Sequence, residues 1–314
     1  MTSRDDRERA PSTEPGAQEL LRLEKVTVRF GGRAALDAVS LTVRRGEVHA
    51  LVGQNGSGKS TLIKVLAGIH APADGRLLVE GHELNLPPTS HDLIRHRVSF
   101  VHQDLGLIDA LSVTDNICIG KLEHSRLLRY IDAAKQAESA RRVLAVLGAD
   151  IDENAKVATL SPARRTMVAM ARGLLVQGDR PGLIVLDEVT RTLTESSAEP
   201  IYGAIRSITS AGGGVLMISH NLEEVLAVAD RVTVLRDARV VAENLPVAGL
   251  QEREIARLML GHDVTTDILR SAAPPVRTEP IVTLSGVRGR RVAGVDLVLG
   301  RGEIVGITGL EGSG

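Results

Sequence analysis

Residues Gly53 to Ser60 read GQNGSGKS and fill every fixed position of the pattern G-x-x-x-x-G-K-[ST]. The run before it, EVHALVG, is an apolar strand, and the run after it, KSTLIKVLAGI, has helical spacing. A glycine-rich turn alone is an ordinary flexible connector. Placed between a strand and a helix, it becomes a concave nest. Gly53, Gly56 and Gly58 let several backbone N–H groups point inward, and the helix start adds its dipole. Gln54, Asn55, Ser57 and Thr61 complete the loop and the helix entry. A nest of this kind takes phosphate, with Lys59 reaching the β- and γ-phosphates and Ser60 offering its hydroxyl oxygen to Mg²⁺.

The remaining pattern extends this strand–loop–helix unit. From Leu20 to Gly53, short β stretches alternate with turn signals (LLRLEKVTVRF, GGRAALDAVSLTV, EVHALVG). GRLLVEG adds a hairpin strand, and RHRVSFVHQ is a strand running into a loop. From about Leu105 to Leu160 the character turns helical. In IDAAKQAESARRVLAVLGAD, Ala133, Ala137, Ala140, Leu144 and Leu147 recur on one face, with Gly148 as the stop. Strand signals resume in GLIVLDE, GGVLMISH and RVTVLRD, with helices between them. This β–α alternation predicts an α/β fold, a mostly parallel sheet with helices on its faces.

The chain also repeats itself. Arg45-Gly46-Glu47 falls on Arg301-Gly302-Glu303, Gly53 on Gly309, and Gly56-Ser57-Gly58 on Gly312-Ser313-Gly314, all at one offset. LDAVSLTV and VAGVDLVL share the same apolar alternation. An internal repeat follows, whose second copy stops at Gly314, inside its own phosphate loop. The expected plan is a disordered segment over 1–19, a first domain over 20–261, and a linker over 262–279, where Pro, Thr and Ala dominate. Residues 280–314 then open a second, C-terminally truncated domain.

Composition excludes several classes. Charge is balanced, with 38 Lys+Arg against 39 Asp+Glu and a formal net charge of −1, which argues against general binding to nucleic acid or anionic lipid. The single cysteine, Cys118, rules out a disulfide framework, fits a reducing compartment, and reads as a small buried apolar residue. No run approaches the roughly 18 apolar residues that would span a bilayer. The N-terminus lacks the apolar segment of a signal peptide. The chain by itself is expected to be soluble.

Three further strand ends carry chemistry. LIVLDE (Leu183 to Glu188) is an apolar strand ending in two carboxylates. Alone, such a pair suits a solvated helix start. Downstream of a phosphate loop, Asp187 would hold Mg²⁺ through water and Glu188 would orient or deprotonate the attacking water. His220 ends MISH; a lone histidine there is ordinarily a surface residue, but one strand beyond the acidic pair it would sense the γ-phosphate. Gln103, ending SFVHQ, is a long amide able to touch both metal and water. The order Lys59, Gln103, Asp187–Glu188, His220 carries more than any single member.

With these landmarks the chain resembles the nucleotide-binding subunits of ATP-binding-cassette transporters, from about Leu20 to Gly314. The resemblance implies a P-loop NTPase cassette with an N-terminal antiparallel β subdomain and a helical subdomain inserted over about 105–165. It also implies ATP and Mg²⁺ as ligands. The family's signature, usually LSGGQ, is replaced here by LSPARRTMVAMARGLL (Leu160 to Leu175). Leu160 and Ser161 are kept, while Pro162, Ala163 and Arg164 replace both glycines and the glutamine. Ser161 still suits a helix N-cap facing an anion, but without glycine the backbone approaches a γ-phosphate less closely. Phe30 stands where family members stack an aromatic ring on adenine; a strand core role suits it equally well from sequence.

Leu193-Thr194-Glu195 after the acidic pair, the stretch ISHNLEEVLAVADRVTVLRDARVV and the repeat all resemble the double-cassette ATPases of bacterial pentose and hexose importers; Val189 in place of proline departs from them. The likeness implies a peripheral subunit on the cytoplasmic face of the cell (inner) membrane. It would drive membrane permease subunits fed by an extracytoplasmic sugar-binding protein. Two cassettes, a second one in the same longer chain or a homodimer partner, would close head to tail around ATP. With its own acidic and phosphate residues intact and its signature altered, this cassette would hydrolyse at one site and hold nucleotide at the other. The alternatives are a two-cassette ribosome-associated translation ATPase, which carries a longer and more charged linker, and a non-hydrolysing regulatory cassette.

Overall fold

The computed structural model describes residues 18–121, 132–178, 180–191, 193–261, 279–289 and 292–309. Of the disordered segment expected over 1–19 and the linker expected over 262–279, residues 1–17 and 262–278 lie outside these residues, as does the end of the second loop (310–314), while Glu19 already opens the first strand. Two compact units emerge, one comprising the described residues up to Gly261 and the other those from Glu279 onward.

The first unit opens with β1 (Glu19–Phe30), β2 (Arg33–Arg44) and β3 (Val48–Val52), then α1 (Lys59–Leu66). There follow β4 (Asp74–Val79), β5 (His82–Leu84), α2 (Ser90–Arg95) and β6 (Val98–Val101). The helical stretch contains α3 (Val113–Cys118), α4 (Ala133–Val146) and α5 (Pro162–Gln177). Then β7 (Leu183–Asp187), α6 (Glu195–Ser210), β8 (Gly214–Ile218), α7 (Leu222–Val228), β9 (Arg231–Arg236), β10 (Arg239–Pro246) and α8 (Glu252–Leu260) complete it. Among the described residues no helix is long and apolar enough to cross a membrane.

Among these residues the strands form two sheets. One is antiparallel, in the order β2-β1-β4-β5; the other runs β10-β9-β3-β8-β7-β6. In the second, β9, β3, β8, β7 and β6 pair in parallel and only β10 is antiparallel. The parallel strands are buried on both faces. Ala50, Ile184, Leu186, Val215, Met217 and Val232 enter one core with α3 to α8. Leu51, Leu183, Val185, Leu216, Ile218 and Leu235 enter a second core with α1 and the antiparallel sheet. A strand with both faces buried reads as a near-continuous apolar run, which is how VHALV, LIVLD and GVLMI appear.

Cys118 is buried as expected. Of the apolar face expected on α4, Ala140, Leu144 and Leu147 are buried and Ala137 is half-buried; Gln136 and Val143 widen it, while Ala133 is exposed. Ala133 is the first residue after the N-cap Asp132, and there the chain is only entering the packed layer. Gly148 takes φ +64 and ends the helix as expected.

The second unit is a hairpin of β11 (Pro280–Arg288) and β12 (Ala293–Gly300). It reproduces the β1–β2 hairpin pair by pair. Leu21↔Val43, Leu23↔Leu41 and Val26↔Val39 in the first correspond to Val282↔Leu299, Leu284↔Leu297 and Val287↔Val295 in the second. Both strands bulge at the same places, with Lys25 (φ 50) matched by Gly286 (φ 59) and Ala38 (φ 50) by Gly294 (φ 77). Ser40 Oγ accepts from Lys25 N at 3.1 Å; Asp296 Oδ1 accepts from Gly286 N at 2.6 Å. Glu47 Oε2 accepts from Arg44 N at 2.9 Å, and Glu303 Oε2 from Gly300 N at 2.7 Å. The repeat seen in sequence is therefore a repeat of backbone geometry.

The repeat also isolates what burial adds. Glu47 is buried and takes two further partners: Arg231, by hydrogen bonds of 2.8 and 2.7 Å, and His49 Nδ1 at 2.8 Å. Burial alone would raise its carboxyl, but the bonds from His49 and Arg231 outweigh burial and hold it below the usual range. This contribution is present at neutral pH and lost as the carboxylate protonates in acid. Glu303 is exposed. Glu47→Ala should therefore destabilise the protein by about 3–5 kcal/mol, leaving Arg231 and His49 unpaired. Glu303→Ala should cost about 0.5 kcal/mol or less. Urea unfolding midpoints compare the two directly.

Candidate nucleotide site

The sheet order decides where the predicted residues meet. Loops leave the carboxyl ends of β3, β8, β7 and β6, which are consecutive neighbours. Ligands of such sheets sit at this end. The phosphate loop follows β3, His220 follows β8, and Asp187–Glu188 end β7, so the histidine's strand lies between the other two.

The loop Gly53–Gly58 is a cradle that only glycine permits at two points. A Cβ on Gly53 would stand 2.2 Å from the Leu235 carbonyl oxygen, and one on Gly58 (φ +114) 2.6 Å from that of Ala35. Ser57 N donates to Gln54 O at 3.1 Å, and Ala238 N to Ser57 O at 3.1 Å, which seats the loop against the turn after β9. Gln54 Nε2 donates to Met259 O at 3.1 Å, adding a latch from α8. Lys59 is 6% exposed and its Nζ donates to Gly53 O (2.7 Å) and Gln54 O (3.0 Å). Burial lowers its pKa, against the opposing pull of Glu188 and Asp187. The ammonium is thus held over the loop by neutral carbonyls, ready for an anion.

Asn55, Gly56, Gly58, Lys59, Ser60 and Thr61 line a cavity of about 180 Å³ together with Ala35 and Glu188. Glu188 has φ 49, an uncommon backbone for a glutamate, costing about 1–3 kcal/mol. Its amide donates to Ile218 O at 3.0 Å, its Oε1 lies 3.3 Å from His220 Nδ1, and its Oε2 lies 3.5 Å from Arg191 Nη1. The phosphate loop, the acidic strand end and the histidine are therefore brought together. Gln103 lines a separate groove, with Pro162, Arg165 and Val189, and does not line the cradle. The segment after it is pinned to α5 by Arg172, which donates to Gly106 O (2.8 Å) and Leu105 O (2.6 Å), and by the Arg165–Asp109 ion pair. Ser161 caps α5 by accepting from Arg164 N at 3.4 Å, with Pro162 in the first turn. Phe30 is 52% exposed and meets His70 edge-on at 5.3 Å, so it is not a core residue.

Sequence reasoning missed Ala35, which reaches the cradle from β2, and His102, whose charge acts on Asp187. Both lie in or beside stretches singled out above, but nothing local gave them a role. Thr190, Ser219 and Glu224, which tie the loops behind Glu188, were missed for the same reason.

The donor set fits a hard cation. Ser60 and Asp187 supply oxygen ligands of the kind Mg²⁺ takes, and the Asp187 carboxyl is raised by burial first and by Glu188 second, against His102 and Lys59. A carboxyl raised by folding costs stability once it ionises, and the cost disappears as acid protonates it. Asp187→Asn should therefore raise the melting temperature of the ligand-free protein at neutral pH, with the gain shrinking in acid. Thermal unfolding across pH measures this.

Comparison with known proteins bears on this geometry. Residues 36–191 match the ABC transporter family model. A ribose import ATP-binding protein of Rubrobacter xylanophilus is 38% identical over 312 residues, covering 98% of this chain and 58% of that protein. One of Streptomyces avermitilis is 37% identical, covering 95% and 55%. A putative ribose/galactose/methyl galactoside import ATP-binding protein of Geobacillus kaustophilus is 33% identical, covering 94% and 58%. The chain thus spans a little over half the length of these relatives. Among solved structures, the ADP conformation of an ATP-binding cassette of an ABC transporter aligns with a TM-score of 0.67 at 26% identity, covering 78% of this chain and 99% of that one. A nucleotide-free cassette aligns with a TM-score of 0.65 at 27% identity, covering 77% and 95%. The comparisons lend no support to the translation-factor or non-hydrolysing readings. By its fold, its phosphate cradle and these relatives, the chain belongs to the ABC transporter family and carries one of its ATP-binding cassettes.

Proposed function

We propose that this cassette hydrolyses ATP with Mg²⁺ to drive import of a sugar. The observation that carries this reading is the position of Glu188, which lines the cradle of Lys59 and Ser60 while its carboxylate lies against His220. Lys59 exchanges its two carbonyl partners for β- and γ-phosphate oxygens, and the α1 amides hold the phosphate chain. Ser60 and Asp187 would hold the metal, which when bound would neutralise developing charge on the phosphates; Gln103, in its separate groove, would join them only if the segment after β6 moved toward the cradle. Glu188 orients the attacking water and receives its proton, and His220 steadies both Glu188 and the γ-phosphate. Phe30, exposed at the end of β1, is available to stack on adenine.

The relatives' names support ribose or a related sugar as cargo. Residues 20–261 act as the first cassette, residues 262–279 as a linker and residues 280–314 as the opening of a second. The pair, or two copies of this chain, closes so that Ser161 of one cassette faces the nucleotide of the other. Permease subunits at the cytoplasmic face of the inner membrane and an extracytoplasmic sugar-binding protein complete the assembly.

Two substitutions separate binding from hydrolysis. Lys59→Ala should weaken Mg-ATP binding about tenfold or more, through loss of a charge-assisted contact; equal binding by both proteins in a titration would remove the cradle from the site. Glu188→Gln should leave binding within about threefold but slow single-turnover hydrolysis about a hundredfold or more. Hydrolysis that survives in this variant would assign the water-activating role to another group.

A further inference from the structure

One buried carboxylate near this site has no part in the chemistry above. Glu224, in the first turn of α7, is 4% exposed. Its Oε1 accepts from Thr190 Oγ1 at 2.6 Å, and its Oε2 accepts from Ser219 Oγ at 2.6 Å. Thr190 lies two residues beyond Glu188, and Ser219 immediately precedes His220. A single carboxylate therefore joins the two loops that carry the paired acid and histidine. Hydroxyl-to-carboxylate bonds of this length are charge-assisted and strong. The helix fixes the clamp in turn: Asn221 Oδ1 caps α7 by accepting from Glu223 N (3.0 Å) and Glu224 N (3.3 Å), and Ser219 Oγ accepts from Asn221 N at 3.0 Å.

Close packing holds these loops on one side only, where Val189 and Leu193 meet the core. A cavity of about 150 Å³ borders them, lined by Glu188, Thr190, Leu193, Tyr202, His220 and Glu224 among others. That is room for several waters, so the side chains facing it lack close-packed neighbours there. Among the described residues, the backbone bond joining the two strand exits is Glu188 N to Ile218 O at 3.0 Å. Beyond it the loops are tied by the Glu188–His220 contact and by Glu224.

We propose that Glu224 is a positioning residue for hydrolysis, setting the Glu188 carboxylate against the His220 ring before nucleotide arrives. The role rests on the hydrolytic reading above. Glu224 acts through Thr190 and Ser219 and does not itself contact the phosphates. An error of about 1 Å in such a constellation is enough to cost about a hundredfold in rate.

The test is single-turnover Mg-ATP hydrolysis by the 314-residue chain in excess over nucleotide, with ATP affinity measured separately. Glu224→Leu, which keeps the bulk and removes both acceptors, should slow hydrolysis about tenfold or more while the Kd for ATP moves less than about threefold. Thr190→Val, a milder change at the other end of one bond, should act in the same direction. Glu224→Gln, which can still bond both hydroxyls, should recover most of the rate. In a His220→Ala background, Glu224→Leu should add less than about twofold, because the pair it positions is already broken. Rate and affinity falling together, full additivity with His220→Ala, or wild-type hydrolysis by both Glu224→Leu and Thr190→Val would each overturn the positioning role. A wild-type chain that binds ATP but never hydrolyses it would instead remove the hydrolytic reading, and this role with it.

Discussion

The parallel strands β3, β7 and β8 have no solvated face. A strand buried on both sides is nearly all apolar, with His49 in β3 tolerated because Glu47 and Thr233 satisfy both ring nitrogens, so the reactive polar groups gather at the strand ends. This burial is what makes the site. Because β8 lies between β3 and β7, the loops at their carboxyl ends are neighbours whatever their sequence separation. Lys59, Glu188 and His220 converge because Leu51, Leu183 to Leu186 and Leu216 to Ile218 are excluded from water. The antiparallel sheet, α1 and α2 cover one face and α3 to α8 the other, and both cores contribute to holding the strand ends in register.

The site so formed is kept under tension in the ligand-free state. Lys59 is partly stripped of solvent and leans on carbonyl oxygens; Asp187 is pushed toward its neutral form by burial; Glu188 sits in a left-handed backbone. Each of these costs stability on its own. A phosphate chain with its cation would relieve the first two at once, supplying an anion for the ammonium and a cation for the carboxylate. Such opposed charges in one cleft are the usual mark of a site shaped for a ligand rather than for the fold.

The two hairpins show how much of a local structure is carried by local sequence. Register, both bulges, the side-chain bonds at Lys25 and Gly286, and the Glu47 and Glu303 caps recur although β1–β2 is buried against a full core and β11–β12 is mostly exposed. The strand after each hairpin behaves differently. Val48–Val52 is β3, hydrogen-bonded on both sides by β8 and β9, whereas residues 303–309, with the same alternation, form no strand among the described residues. The turn and the hairpin are written locally; a central strand exists only where its neighbours do.

That contrast marks the limit of what the sequence determined by itself. Strand ends, the phosphate loop, the α5 cap at Ser161 and the repeat were legible because each depends on residues within a few positions of one another: glycines at forced turns, hydroxyls at caps, apolar alternation. The candidates Asp187, Glu188 and His220 could be proposed for the same reason, since each follows an apolar run. Tertiary structure decided the rest. It put Gln103 in a groove with Pro162 rather than in the cradle, left Phe30 in solvent, buried Gln136 of α4 but not Ala133, and brought Ala35 and Glu224 to the site from positions to which no local pattern gave a role. These outcomes depend on which faces are left uncovered once the strands have packed. Packing is a property of contacts between distant residues, and no local pattern in one stretch of chain encodes it.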